Sequence, residues 1–166
     1  GFSQRDEKKI ILAAKKATII KSGNMSMGIN ILQQVINKAA SLFDETFEIE
    51  VLETHHKHKI DAPSGTALML GQSIASGKKK KLDQIKIVSK TGSRKKTQNG
   101  KITFNSFRKG NVVGDHKAIF SSKDEVIELS HEALDRGIFA TGAIQAVKWG
   151  INKKAGLYSM IDVLEK

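Results

Sequence analysis

Residues 47–75 read FEIEVLETHHKHKIDAPSGTALMLGQSIA, and their reading decides the fold class. Phe47, Ile49 and Val51 alternate with Glu48 and Glu50, which predicts a half-buried strand over 47–53. After Pro63, the only proline, TALMLGQSIA at 66–75 predicts a helix with Ser64 or Gly65 at its cap. A strand therefore delivers the chain, through a loop rich in His and Lys, to the start of a helix.

Working outward toward the N-terminus, SQRDEKKIILAAKKA predicts a helix over 4–16, with Ser3 and Asp6 spaced as in a capping box. Residues 17–20 are short and β-rich, and Lys21, Ser22, Gly23 and Asn24 are turn-prone. Met27, Ile31, Leu32, Val35, Ile36, Ala39, Ala40 and Phe43 recur at three-and-four spacing and predict a helix over 26–43. Toward the C-terminus, strands are expected over 85–88, 101–107, 111–120 and 125–130, separated by Gly100, by Lys109-Gly110 and by Ser121-Ser122. A helix from Glu132 to about Asn152 and a last short helix over 157–165 follow. The expected class is α+β, with a mixed or largely antiparallel sheet.

The composition bounds the function classes. The 166 residues suffice for one medium domain, or one domain with part of another, and for a core without staples. No cysteine is present, which removes disulfides, thiolate zinc sites and Cys nucleophiles. No apolar run approaches the roughly 20 residues needed to span a bilayer, and the N-terminal GFSQRDEKK carries no apolar signal core. Neither membrane insertion nor export is expected, and the cytoplasm is the expected compartment. The net charge of +11 attracts anions, and two basic clusters, Lys78 to Lys81 and Arg94 to Lys96, carry much of it. A basic module binding RNA or another polyanion is therefore the alternative reading. Neither cluster is interleaved with the aromatics of a stacking platform, so nucleic acid is not the expected partner.

The densest chemistry lies in Glu53-Thr54-His55-His56-Lys57-His58-Lys59 and Asp61-Ala62-Pro63-Ser64-Gly65-Thr66. His55, His56 and His58 with Glu53 offer metal-ligating groups, but neighbours on an extended chain point to alternate faces, so only a subset converges and no metal is expected. Ser64, Gly65 and Thr66 fall where a helix begins, and amides and hydroxyls there suit a carboxylate or phosphate. His and Lys beside an anion site make a pocket for an acidic substrate with a proton donor at hand. The turn Lys21-Ser22-Gly23-Asn24-Met25 follows a short strand, where nucleotides bind in open α/β sheets, although no GxGxxG occurs in the sequence.

The string EVLETHHKHKIDAPSGTAL resembles the signature of the dihydrodipicolinate reductase family of lysine and diaminopimelate biosynthesis. SGNMSMGINIL, VVGDHKAIF and IELSHEALDRGIFATGAIQAVKW agree with it, so the resemblance runs along essentially the whole chain. It implies an oxidoreductase of amino-acid biosynthesis that passes a hydride from NADH or NADPH to a cyclic dicarboxylate, 4-hydroxy-tetrahydrodipicolinate, giving tetrahydrodipicolinate, while an enzyme acid protonates the neighbouring carbon. Carried over by this resemblance, His55 is the acid/base residue and Lys59 the proton donor. His56, Gly65 and Thr66 bind the substrate carboxylates, and Ser22, Gly23, Asn24 and Met25 contact the cofactor.

The resemblance also implies a division of the chain: 1–26 and 136–166 belong with a Rossmann dinucleotide-binding domain, and 27–135 form the substrate-binding and oligomerisation domain of a homotetramer. Because the family's glycine-rich turn is not found, the chain is expected to be a C-terminal portion that turns over poorly or not at all alone. One departure lies in GSRKKTQNG at 92–100, where many members carry Gly and Arg at the positions of Lys95 and Thr97.

Overall fold

The structure, a computed structural model, describes residues 2–165. The chain divides into two compact units, one formed by Gly1–Ile31 with Gly137–Lys166 and the other by Leu32–Arg136.

In the first unit, α1 (Gln4–Ala14) is opened by the predicted capping box: the Ser3 hydroxyl accepts from the Asp6 amide, and the Asp6 carboxylate accepts from the Ser3 amide. Next come β1 (Thr18–Ile20) and the start of α2 (Met27–Leu42), which continues into the second unit. The intervening loop is folded on itself. Asn24 accepts from the Ser26 amide through Oδ1, and Asn30 donates to the carbonyls of Asn24 and Ser26.

The second unit carries β2 (Glu48–His55), α3 (Gly65–Gly77), α4 (Leu82–Ile85), β3 (Lys86–Val88), β4 (Ile102–Arg108), β5 (Gly114–Ser121) and β6 (Val126–Ala133). The strands form one sheet in the order β3-β4-β2-β5-β6, parallel from β3 through β4 to β2 and antiparallel from β2 through β5 to β6. The sheet is mixed, as the sequence indicates. Helix α3 packs on one face, setting Ala67, Leu70 and Ile74 among Val51, Phe104, Ala118 and Phe120, all at most 1% exposed. Each large side chain buried there contributes about 1.5–3 kcal/mol.

Alternation along the strands decides which residues share that face. Glu53 pairs with Ser106 on β4 and with His116 on β5, and His55 with Arg108, so these five residues gather at one end of the helix-covered side. Glu50 points the other way, where Arg94 clamps its carboxylate with two hydrogen bonds of 3.0 and 2.7 Å and Asn105 accepts from the Lys95 amide. The variant loop at 92–100 is thus anchored on the face away from His55.

Returning to the first unit, the chain closes with α5 (Gly137–Gly150), β7 (Gly156–Tyr158), which pairs in parallel with β1, and α6 (Met160–Leu164). Two expectations are corrected here. The long helix begins at Gly137 and not at Glu132, because Glu132 and Ala133 continue the ladder opposite Asp115 and Gly114. The terminal helix is split into a strand and a single turn, since pairing with β1 draws 156–158 into extended form and Ser159 caps a new start. The one-turn α4 was not expected. Gly142 of α5 permits a close approach within this unit: a Cβ there would meet the Met25 carbonyl oxygen at 1.8 Å.

Candidate active site

The end of β2 delivers His55 into the cluster with its imidazole 9% exposed, beside a Glu53 side chain that is 1% exposed. Nδ1 of His55 is in close contact with Oε2 of Glu53, and among the described residues neither atom makes a hydrogen bond of regular geometry. The other carboxylate oxygen, Oε1, accepts from the Ser64 amide at 3.1 Å and from Nη2 of Arg108 at 3.2 Å. Burial pushes the Glu53 carboxyl up. Hydrogen bonding from His55 and Ser106, attraction to His55 and the Ser64 amide outweigh this and hold it down to about 2. Glu53 is therefore ionised at neutral pH.

His116, on β5, stands edge-on to His55 with ring centroids 4.9 Å apart, and its Nε2 lies 3.2 Å from the Ser64 hydroxyl. Burial, with repulsion from His55, pushes His116 down to about 3, so it is neutral at pH 7. Among the described residues, Glu53, His55 and His116 offer donor atoms within 4.8 Å of one another, the grouping that most resembles a metal site. It keeps Glu53 and His55 of the set read from the sequence and has His116 in place of His56 and His58, which lie on the following loop. Arg108 sets a permanent cation on the only carboxylate of the three, which works against a metal ion there.

Arg108 also secures that loop. Nε donates to the Lys59 carbonyl at 3.2 Å and Nη2 to the Asp61 carbonyl at 2.5 Å. Nζ of Lys59 lies 2.8 Å from the exposed Asp61 carboxylate, and this bond first, with the Lys59 charge, holds the Asp61 carboxyl low. His56 is half-buried; desolvation and the charges of His55, His58, Lys59 and Arg136 push it down.

Ser64 departs from its expected place in an anion cradle. Its hydroxyl is 2% exposed and turned inward, accepting from the Ala67 amide as the N-cap and meeting His116. Gly65 keeps the expected position: it is exposed at the first turn of α3, and a Cβ there would meet nothing within 4 Å. Thr66 follows it, half-buried.

The structure thus brings His55, His56, Lys59, Gly65 and Thr66 to one end of the sheet in the second unit, and adds Glu53, Ser106, Arg108, Gly114 and His116. Glu53, two residues before His55 and so on the same face of a strand, already stood in the dense motif, and Gly114 and His116 fall in VVGDHKAIF; Ser106 and Arg108 had no signal in sequence. Ser22, Gly23, Asn24 and Met25 lie in the first unit, where Ser22 and Gly23 line a cavity of about 630 Å³ with Phe2, Glu7, Lys21 and Tyr158.

The sequence profile described as "Dihydrodipicolinate reductase, C-terminus" matches residues 28–164. The chain belongs to the dihydrodipicolinate reductase family. Among its relatives, the 4-hydroxy-tetrahydrodipicolinate reductase of Brucella abortus (strain 2308) is 50% identical over 165 residues, which are 99% of this chain and 62% of that protein. That of Bartonella tribocorum is 48% identical over 99% of this chain and 61% of its own length. The chain therefore spans about three fifths of the curated relatives it matches. A solved structure of dihydrodipicolinate reductase from Paenisporosarcina sp. TG-14 with dipicolinate bound superposes with a TM-score of 0.71. It covers 98% of this chain and 61% of that one at 23% identity, a likeness of fold. Among the described residues, no helix of this family member is long and apolar enough to cross a membrane.

Proposed function

We propose that this chain supplies the dicarboxylate-binding and acid/base machinery of a 4-hydroxy-tetrahydrodipicolinate reductase, an NAD(P)H-dependent oxidoreductase of lysine and diaminopimelate biosynthesis. The observation that carries the reading is the convergence of His55, His56, Lys59 and the exposed first turn of α3 at one end of the sheet. There, cations and amide donors suit a small anion; the Glu53 carboxylate is buried and paired with Arg108, and Asp61, paired with Lys59, is exposed. Relatives at 48–50% identity carry this activity in their names, which supports it.

In this reading His56, Gly65 and Thr66 hold the two carboxylates. His55 serves as the acid/base group, and Lys59 donates the proton that completes reduction once Asp61 releases it. An exposed ion pair such as Lys59–Asp61 contributes about 1 kcal/mol or less, so an incoming carboxylate can replace Asp61 at little cost. Addition of hydride builds negative charge on the conjugated ring, and fixed positive groups at the carboxylates stabilise that charge.

Residues Ser22 to Met25 fit one edge of a nicotinamide cofactor, NADH or NADPH. Ser22 and Gly23 line a cavity whose volume is in the range of small-molecule sites, and the internal bonds of Asn24 leave Gly23 exposed. When bound, the dihydronicotinamide supplies the hydride. We assign 1–26 and 136–166 to the nucleotide-binding domain and 27–135 to the substrate-binding and oligomerisation domain, near the division of the two compact units after Ile31 and Arg136. A cytoplasmic homotetramer assembled through the latter completes the proposal.

Calorimetric titration with pyridine-2,6-dicarboxylate, a planar mimic of the substrate, tests it. Saturable binding that is lost in folded His56→Ala supports the site; no binding by the folded chain overturns it.

A further inference from the structure

We propose that Glu53 is a positioning residue for His55: it fixes Nδ1 as the ring nitrogen that carries a hydrogen, and leaves Nε2, beside Gly114, to exchange a proton with the ligand. The inference deepens the reading of His55 as the acid/base group and rests on it.

The carboxylate is held where it cannot turn away. Oε1 is tied by the Ser64 amide at the cap of α3 and by Arg108 from β4, so the orientation of Oε2 follows from two elements that are themselves fixed. Oε2 is buried and faces Nδ1. An ionised carboxylate oxygen removed from water needs a donor, and an imidazole nitrogen can be one only when it carries a hydrogen. A bare Nδ1 would set two lone pairs against each other in a buried place. Whether His55 is neutral or charged, Nδ1 therefore holds its hydrogen, and the proton that comes and goes is the one on Nε2.

The surroundings of Nε2 agree. It makes no hydrogen bond among the described residues. The three atoms nearest to a methyl group added at Gly114 all belong to His55 and His116, with Nε2 of His55 first at 3.1 Å. A side chain on β5 at this point would press on the reactive nitrogen, and glycine leaves it clear. Around the imidazole stand Glu53 from its own strand, His116 from β5 and His56 from the loop, with Arg108 the register partner of His55 on β4 and Lys59 acting on both His56 and His116.

Two-bond ¹H–¹⁵N correlation spectra of the ¹⁵N-histidine-labelled chain read the ring nitrogens directly. In the neutral imidazole of the wild-type chain, the Nδ1–H tautomer is expected to exceed the Nε2–H form by about tenfold or more. Pyridine-2,6-dicarboxylate should then move the Nε2 signal more than the Nδ1 signal. Glu53→Gln, whose amide can donate as well as accept, should shift the population toward Nε2–H and weaken dicarboxylate binding severalfold. A predominant Nε2–H form in the wild type overturns the proposal even if Glu53→Gln fails to fold, as does a folded Glu53→Gln with unchanged tautomer and affinity. If the dicarboxylate does not bind while Nδ1–H predominates, it is the substrate-site reading that fails.

Discussion

Gly114 lies against the imidazole of His55 so closely that a methyl group on its Cα would stand 3.1 Å from Nε2. Such a contact is tighter than normal packing, and either the ring or the start of β5 must yield. Gly114→Ala is expected to cost about 1–3 kcal/mol in stability. It should also weaken pyridine-2,6-dicarboxylate binding about tenfold by moving the ring. Denaturant titration and calorimetry check the two effects; a loss of stability with unchanged affinity would separate Nε2 from the ligand.

In the proposed reading, Asp61 competes with the dicarboxylate for Lys59. Asp61→Asn removes a carboxylate that lies 2.8 Å from the ammonium group. Binding of pyridine-2,6-dicarboxylate should tighten about two- to fivefold, the yield expected from releasing an exposed ion pair. The gain should shrink as salt is added, since Asp61 is exposed and Lys59 is only half-buried. Unchanged or weaker binding in the folded variant would count against Lys59 as a ligand.

Acid should destabilise the second unit in two steps of the same sign. His116 is pushed down from 6.5 to about 3, so between those values the unfolded chain binds a proton that the folded chain does not, and stability falls with pH. Glu53 is lowered from 4.5 to about 2; its contribution is complete above 4.5 and is lost as pH falls through 2, on the order of 3 kcal/mol in all. Denaturant midpoints between pH 7 and 4 should therefore decline well before the carboxylates titrate. In His116→Gln the decline between about pH 6.5 and 4.5 should be shallower, and an identical slope would refute the assignment to His116.

Within the first unit, Gly142→Ala should destabilise by about 1–3 kcal/mol or more, because the added Cβ would overlap the Met25 carbonyl and backbone cannot rotate aside as a side chain can. For a chain of this size that lowers the melting temperature by roughly 2–4 °C for each kcal/mol. Amide signals of residues 22–26 should move with it. A variant that melts with the wild type would show that α5 can slide away from this loop freely.

The parts of the fold that were legible in sequence are those with a repeating local signal. Alternation at Phe47 to Val51 marked β2, three-and-four spacing marked α2, and Ser3 and Ser64 marked the starts of α1 and α3. Of the elements of three to five residues, β1 and β3 were read at 17–20 and 85–88, but β7 and α6 were not legible, because they are decided by pairing with β1 and by the Ser159 cap rather than by a pattern. The site divides in the same way. The HHKHK motif and the first turn of α3 are contiguous and could be read directly. Arg108 stands 55 positions from Glu53 and reaches it only because β4 pairs with β2 in parallel, a register that no local signal encodes. Ser64 takes the cap that the sequence offered it, and its hydroxyl is drawn inward, away from an anion, by His116 from a strand 52 residues away.

The most direct test of the account is to map pyridine-2,6-dicarboxylate on the ¹H–¹⁵N spectrum of the 166-residue chain. The account predicts saturable shifts concentrated at His55, His56, Lys59, Gly65 and Thr66, with Gly114 and His116 following. Shifts confined to Lys78–Lys81 or to the loop at 92–100, or no shifts in a folded chain, would contradict it.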